Sequence, residues 1–120
     1  MAGERILVVE DNELNMKLFR DVLVATGYRT LEATSGGEAV ELATEHEPDL
    51  VLMDIQLPDL GGVQALGRLR ANDRTASIPV LALTAQAMDG DRERFLAAGF
   101  YGYLSKPVYV RERIDTVRLH

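Results

Sequence analysis

The sequence predicts a doubly wound α/β fold, with five parallel strands in one sheet and helices on both faces. Three observations predict it. Five short apolar stretches alternate with segments of helical spacing. The first, third and fourth stretches are apolar at every position, as strands covered on both faces are. Repeated strand–helix alternation implies right-handed crossovers, hence a (βα)5 sandwich of three layers.

Each element follows in order. Ile6–Val9 is the first strand. Leu14, Leu18, Val22 and Ala25 form an i, i+4 stripe widened by Phe19 and Leu23, and Gly27 ends that helix. Tyr28–Ala33 is the second strand, more mixed in composition, which suits a sheet edge. Ser35 with Glu38 three residues on fits a capping box, opening a helix with Ala39, Leu42 and Ala43 inward, His46 near its end and Pro48 beyond it. Leu50–Met53 is the third strand, and Val63, Leu66 and Leu69 mark the third helix. Val80–Leu83 is the fourth strand. Asp89 can cap a fourth helix carrying Phe95, Leu96 and Ala98 and stopping at Gly99. Tyr101–Leu104 is the fifth strand, and Val110, Ile114 and Val117 mark a last helix.

Composition bounds the function. The chain has 120 residues, 13 Lys plus Arg against 19 Asp plus Glu, and a net charge of −6. At roughly 100–200 residues per domain this is one domain, residues 1–120, with no room for an attached output domain. The absence of cysteine excludes disulfides, thiolate metal sites and cysteine nucleophiles. No apolar run approaches a membrane span or a signal peptide, which points to a cytoplasmic protein. An acidic surface argues against nucleic acid as a partner.

In an open sheet of this kind, chemistry belongs beyond the carboxyl ends of the strands. The first strand runs into Glu10-Asp11, the third into Asp54, the fourth into Thr84-Ala85, and the fifth into Ser105-Lys106-Pro107. Three acids, a hydroxyl and an ammonium therefore converge on one sheet edge. Three carboxylates so close repel one another, and burying them unpaired is expensive. The Lys106 ammonium and a hard divalent cation would offset that. Mg²⁺ fits, since it takes one or two carboxylates, keeps several waters and uses phosphate oxygens for the rest. Such a site suits phosphoryl transfer, with Asp54, at the end of the central strand, as the accepting nucleophile.

These residues resemble the receiver domain of bacterial two-component response regulators. The resemblance runs from about Glu4 to Arg118. It is carried by Glu10-Asp11, by Asp54 in Met53-Asp54-Ile55-Gln56-Leu57-Pro58 with Gly62 after it, and by Thr84-Ala85 and Lys106-Pro107. The spacings agree as well: 30 residues from Asp54 to Thr84 and 22 more to Lys106. Within that family, the segments 9–19 and 52–58 are similar to single-domain DivK-type cell-cycle regulators.

The resemblance implies a flavodoxin-like (CheY-like) fold and a phosphoryl group received on Asp54 from a histidine kinase or histidine phosphotransfer protein. It implies Mg²⁺ ligated by Asp11 and Asp54, by Glu10 directly or through water, and by the Gln56 backbone carbonyl. Lys106 would pair with Asp54 and then with the phosphoryl oxygens, across a cis Lys106–Pro107 peptide bond. Thr84 would hydrogen-bond the phosphate, and Tyr103, the switch aromatic, would turn inward as Thr84 moves. The result is a switch that binds a downstream protein partner. It is a signalling module rather than a metabolic enzyme, with chemistry limited to its own phosphorylation and dephosphorylation.

Other readings fit less well. A haloacid-dehalogenase-like phosphatase also uses a strand-end aspartate but wants a second acid two residues later, where Gln56 stands. A flavodoxin-like cofactor binder wants a Ser/Thr/Gly-rich loop after the first strand, where Glu-Asp-Asn-Glu stands. A Ser–His–Asp hydrolase fails on His46 and His120, at a helix end and the chain terminus, and on the lack of Gly-x-Ser-x-Gly. Three residues depart from the receiver pattern: Tyr101, where Asp is common; Tyr109, where a capping residue is common; and Arg113, at a usually apolar position. They suggest an altered contact surface on the face of the fourth helix, fifth strand and fifth helix, whether natural or engineered, in a monomer or weak homodimer.

Overall fold

The computed structural model describes residues 3–55, 61–84 and 91–105, with only the backbone of Asp91, Arg92, Leu104 and Ser105. The strands are β1 (Arg5–Val9), β2 (Arg29–Ala33), β3 (Leu50–Asp54), β4 (Val80–Thr84) and β5 (Gly102–Ser105). The helices are α1 (Glu13–Thr26), α2 (Gly36–His46), α3 (Gly62–Ala71) and α4 (Asp91–Ala98). The expected fifth helix, with Val110, Ile114 and Val117, lies outside the described residues, as does Asp89.

All four strand pairings are parallel, in the order β2-β1-β3-β4-β5. The order reverses between β1 and β3, which makes their carboxyl ends the topological switch point of the sheet. Every residue of β3 and β4 is buried. Alternate side chains on these strands enter two separate cores, which is why no position along them can be polar until the strand ends. Leu7, Val9, Val51, Met53, Val80 and Ala82 pack with Ala39 and Ala43 of α2, Leu66 and Leu69 of α3 and Phe95 of α4. Ile6, Val8, Leu50, Leu52, Leu81 and Leu83 pack on the other face with Met16, Phe19 and Leu23 of α1. β2 is an edge strand with a mixed burial pattern, as its composition suggested.

The helix ends follow the capping residues. The Asn12 side chain accepts from the Asn15 N–H at the start of α1. Gly27 closes that helix at φ 105°, a conformation open to glycine, and its N–H donates to the Leu23 and Val24 carbonyls. Ser35 caps α2 by accepting from the Glu38 N–H, while Glu38 Oε1 accepts from the Thr34 N–H. At the other end of α2 a non-glycine residue, Glu47, takes the left-handed conformation at φ 46°.

Three helix faces differ from the sequence expectation. In α1 the buried face is Met16, Phe19 and Leu23, whereas Leu14 and Leu18 of the apolar stripe are 66% and 40% exposed and Ala25 is also exposed. Apolar residues cover more than half of the circumference of this helix, so spacing alone did not select its inner side. Val63 is exposed, and α3 turns Gly62, Ala65, Leu66 and Leu69 inward instead. On α4 only Phe95 of the expected apolar trio is buried, with Leu96 and Ala98 facing out.

Candidate functional site

β1 and β3 lie side by side, with Val9 opposite Met53. The residues that follow this pair, Glu10 and Asp11 on one strand and Asp54 on the other, therefore meet at the switch point. One carboxylate oxygen from each of Glu10, Asp11 and Asp54 lies within 4.8 Å of the others. Glu10 is fully buried and Asp54 is 4% exposed, while Asp11 is open to solvent. Asp54 lies on the fully buried central strand, and the Ile55 N–H bonds the Leu83 carbonyl at 3.2 Å. The Asp54 carboxylate is thus carried at the end of a fully buried strand.

The donor set fits a hard divalent cation. All three groups are carboxylate oxygens, the ligands Mg²⁺ prefers. Oxygens within 4.8 Å of one another are near enough to serve a single ion. The exposed side at Asp11 leaves room for the water ligands that Mg²⁺ retains.

Thr84 ends β4 and is 5% exposed. The register pairs Asp54 with Leu83 and Thr84 with Ser105, so the hydroxyl-bearing residue stands one step beyond Asp54 on the neighbouring strand. Tyr103 pairs with Ala82 on β5, is half-buried, and sets its ring 5.6 Å from that of Phe95. Of the expected site residues, Glu10, Asp11, Asp54 and Thr84 therefore gather at one sheet edge, and Tyr103 lies on the strand beside Thr84. Gln56, Lys106 and Pro107 lie outside the described residues, as do Tyr109 and Arg113. Tyr101 precedes β5, is 54% exposed, and donates its N–H to the Val80 carbonyl.

Sequence reasoning missed Asn15. Its Nδ2 donates to Glu10 Oε1 at 2.7 Å. The available signal was the Glu-Asp-Asn-x-x-Asn spacing, which places an amide one helical turn after a cap and beside the acid pair. A groove of about 370 Å³ runs from Glu10 and Asp11 along Met16, Lys17 and Arg20 of α1 to Thr34. Its walls are tied by an Arg20–Glu32 ion pair at 3.1 Å. On α1, the exposed Lys17 ammonium hydrogen-bonds Asp21 at 2.6 Å and lowers the pKa of that carboxyl.

An open parallel sheet with an acid cluster at its switch point, a strand-end aspartate and a buried threonine beside it defines a receiver of two-component signalling. Residues 6–118 match the response regulator receiver domain, and the chain belongs to that family. It is 50% identical over 113 residues to the polar-differentiation response regulator DivK of Brucella anthropi, spanning 94% of this chain and 92% of that protein. Among solved structures it resembles the receiver domain of the sensor histidine kinase PA1611 from Pseudomonas aeruginosa. That likeness has a TM-score of 0.84 and 40% identity over 98% of this chain and 94% of the other, and that structure has a magnesium ion coordinated in its active-site cleft. The chemotaxis response regulator CheY4 of Vibrio cholerae shares the fold, with a TM-score of 0.91 at 23% identity over 98% of each chain. Among the described residues, no helix is long and apolar enough to cross a membrane.

Proposed function

We propose that Asp54 is the phosphoacceptor of a phosphorelay. A carboxylate oxygen of Asp54 attacks the phosphorus of a phosphohistidine on a histidine kinase or histidine phosphotransfer protein, and the N–P bond breaks with its electrons returning to the imidazole. The observation that carries this reading is the meeting of Glu10, Asp11 and Asp54 at the switch point, with the central carboxylate held on a fully buried strand.

Asp11 and Asp54 would hold Mg²⁺, with Glu10 direct or through water and the Gln56 carbonyl completing the protein's share. The ion would supply charge neutralisation for the incoming phosphoryl oxygens. The residues of the chain do the positioning. The β3 backbone aims Asp54, Thr84 offers its hydroxyl to the phosphoryl group, and Lys106, by the resemblance to receivers, would offer an ammonium. The Thr84 hydroxyl and the Tyr103 ring then favour one of two conformers, so that phosphorylation becomes a population shift felt on the surface. In this reading the chain is a cytoplasmic signalling switch without metabolic activity, related in role to the DivK regulators, and its output is a protein contact. The exposed Tyr101 supports a contact on the β5 side.

The test is incubation with acetyl phosphate and Mg²⁺ followed by intact-mass spectrometry. A gain of one phosphoryl unit is expected, lost on chelation with EDTA and lost in Asp54→Asn. A gain that survives Asp54→Asn, or no gain in the unsubstituted chain, overturns the reading.

A further inference from the structure

We propose that Asn15 is a positioning residue for the divalent-cation site, fixing the Glu10 carboxylate through its side-chain amide. The inference rests on the reading of Glu10, Asp11 and Asp54 as that site. Its observation is separate: Asn15 Nδ2 donates to Glu10 Oε1 at 2.7 Å.

Glu10 has one more rotatable bond than an aspartate in its place, so its carboxylate needs an external constraint to keep one orientation. Its backbone is fixed, because the Glu10 N–H donates to the Ala33 carbonyl at 3.0 Å. The side chain is fixed from α1. Asn15 sits one turn into that helix beside Met16, which is buried against the sheet, so the amide is delivered from a rigid support. A metal-binding carboxylate is commonly oriented in this way by a hydrogen-bonding group behind it.

The chemical identity of the donor matters. A lysine or arginine here would neutralise Glu10 and compete with the cation. A neutral amide orients the carboxylate and does not itself cancel its charge. The side-chain role also separates from the structural one. The Asn15 backbone N–H bonds the Asn12 cap at 3.0 Å, and any substitution other than proline keeps that bond. Removing the amide therefore loosens Glu10 without uncapping α1.

The experiment is isothermal titration of Mg²⁺ into the full chain, with Asn15→Ala, Asn15→Leu, Glu10→Ala and the double variant Asn15→Ala with Glu10→Ala. The thermal midpoint without metal reports folding for each, and alanine is the best helix former at this position. Both Asn15 variants are expected to bind Mg²⁺ about tenfold more weakly. The leucine variant keeps the branched shape of the side chain and leaves no cavity, which separates loss of the hydrogen bond from loss of packing. In the Glu10→Ala background, Asn15→Ala is expected to have no further effect, because no carboxylate is left to orient. Unchanged affinity in the single variants, or the same weakening in both backgrounds, overturns the role of Asn15. An unsubstituted chain that binds no Mg²⁺ overturns the reading of the acid cluster, and this proposal with it.

Discussion

Gly62 lies so close to the chain after Asp54 that a Cβ on it would stand 2.6 Å from the Ile55 Cα and 2.7 Å from the Asp54 carbonyl oxygen. Both neighbours are backbone atoms, so no side chain can swing away to make room. The Gly62 N–H closes the contact by donating to the Ile55 carbonyl at 3.1 Å. The first turn of α3 is thereby seated on the end of β3, and it holds in place the backbone that carries the Asp54 carboxylate.

Gly62→Ala is accordingly expected to push α3 away from β3. Overpacking of this kind costs about 1–3 kcal/mol, to be read from urea denaturation. Because the displaced atoms belong to Asp54 and Ile55, phosphorylation by acetyl phosphate should fall further than the loss of folded protein explains. An alanine variant with an unchanged midpoint would show that the contact relaxes freely.

How much of this was legible in the sequence depends on which physical signal each residue carried. β1, β3 and β4 were readable because burial on both faces leaves no polar position until the strand ends. Those ends then announce the site by the sudden change from Val9 to Glu10, Met53 to Asp54 and Leu83 to Thr84. The inner face of α1 was only partly readable: Phe19 and Leu23 stood in the expected stripe, but Leu14, Leu18 and Ala25 competed with Met16 for the rest of it. Only the sheet decides between them. Gly62 was visible as part of a family pattern, but the reason for a glycine appears only when the Ile55 backbone is brought against it. Asn15 and Arg70 act through bonds across turns and between elements, which leave no periodic trace.

A change at a helix cap should separate stability from chemistry. Ser35 accepts from the Glu38 N–H at 3.2 Å and caps α2, the helix that follows β2, and β1 separates that strand from β3. Ser35→Ala removes that acceptor and is expected to cost about 1 kcal/mol in urea or thermal unfolding. The rate of phosphorylation by acetyl phosphate under native conditions should be unchanged. A slower rate would mean that α2 supports the acid cluster in a way its cap distance does not suggest.

Arg70 ties together three segments that its place on α3 does not foretell. One guanidinium nitrogen donates to the Ala76 and Ile78 carbonyls at 3.0 and 2.7 Å, and the other to the Gly99 carbonyl at 3.2 Å, just past α4. Burial lowers its pKa, yet from so high a value that the group stays charged at any working pH. Arg70→Met keeps much of the stem and removes the donors. The expected loss is about 2 kcal/mol in thermal or urea unfolding, as for hydrogen bonds made by a charged group. Arg70→Lys should recover only part of it, because an ammonium cannot span the two directions of the guanidinium fork.

Thr84 and Tyr103 share one face of the sheet, since Tyr103 pairs with Ala82 and Thr84 lies two residues further along β4. The Tyr103 ring is half-buried and tilted 52° against Phe95, so it rests at the margin of a core cluster rather than inside it. A shift of the β4 end toward a bound phosphoryl group would open space that the ring can enter. The chain has no tryptophan, so its tyrosines dominate the near-ultraviolet dichroism. Mg²⁺ with beryllium fluoride is expected to change that band in the unsubstituted chain. The change should be largely absent in Tyr103→Phe, which removes the reporter, and reduced in Thr84→Ala, which keeps it. A full response in Thr84→Ala would mean that the ring moves, if it moves, for a reason other than Thr84.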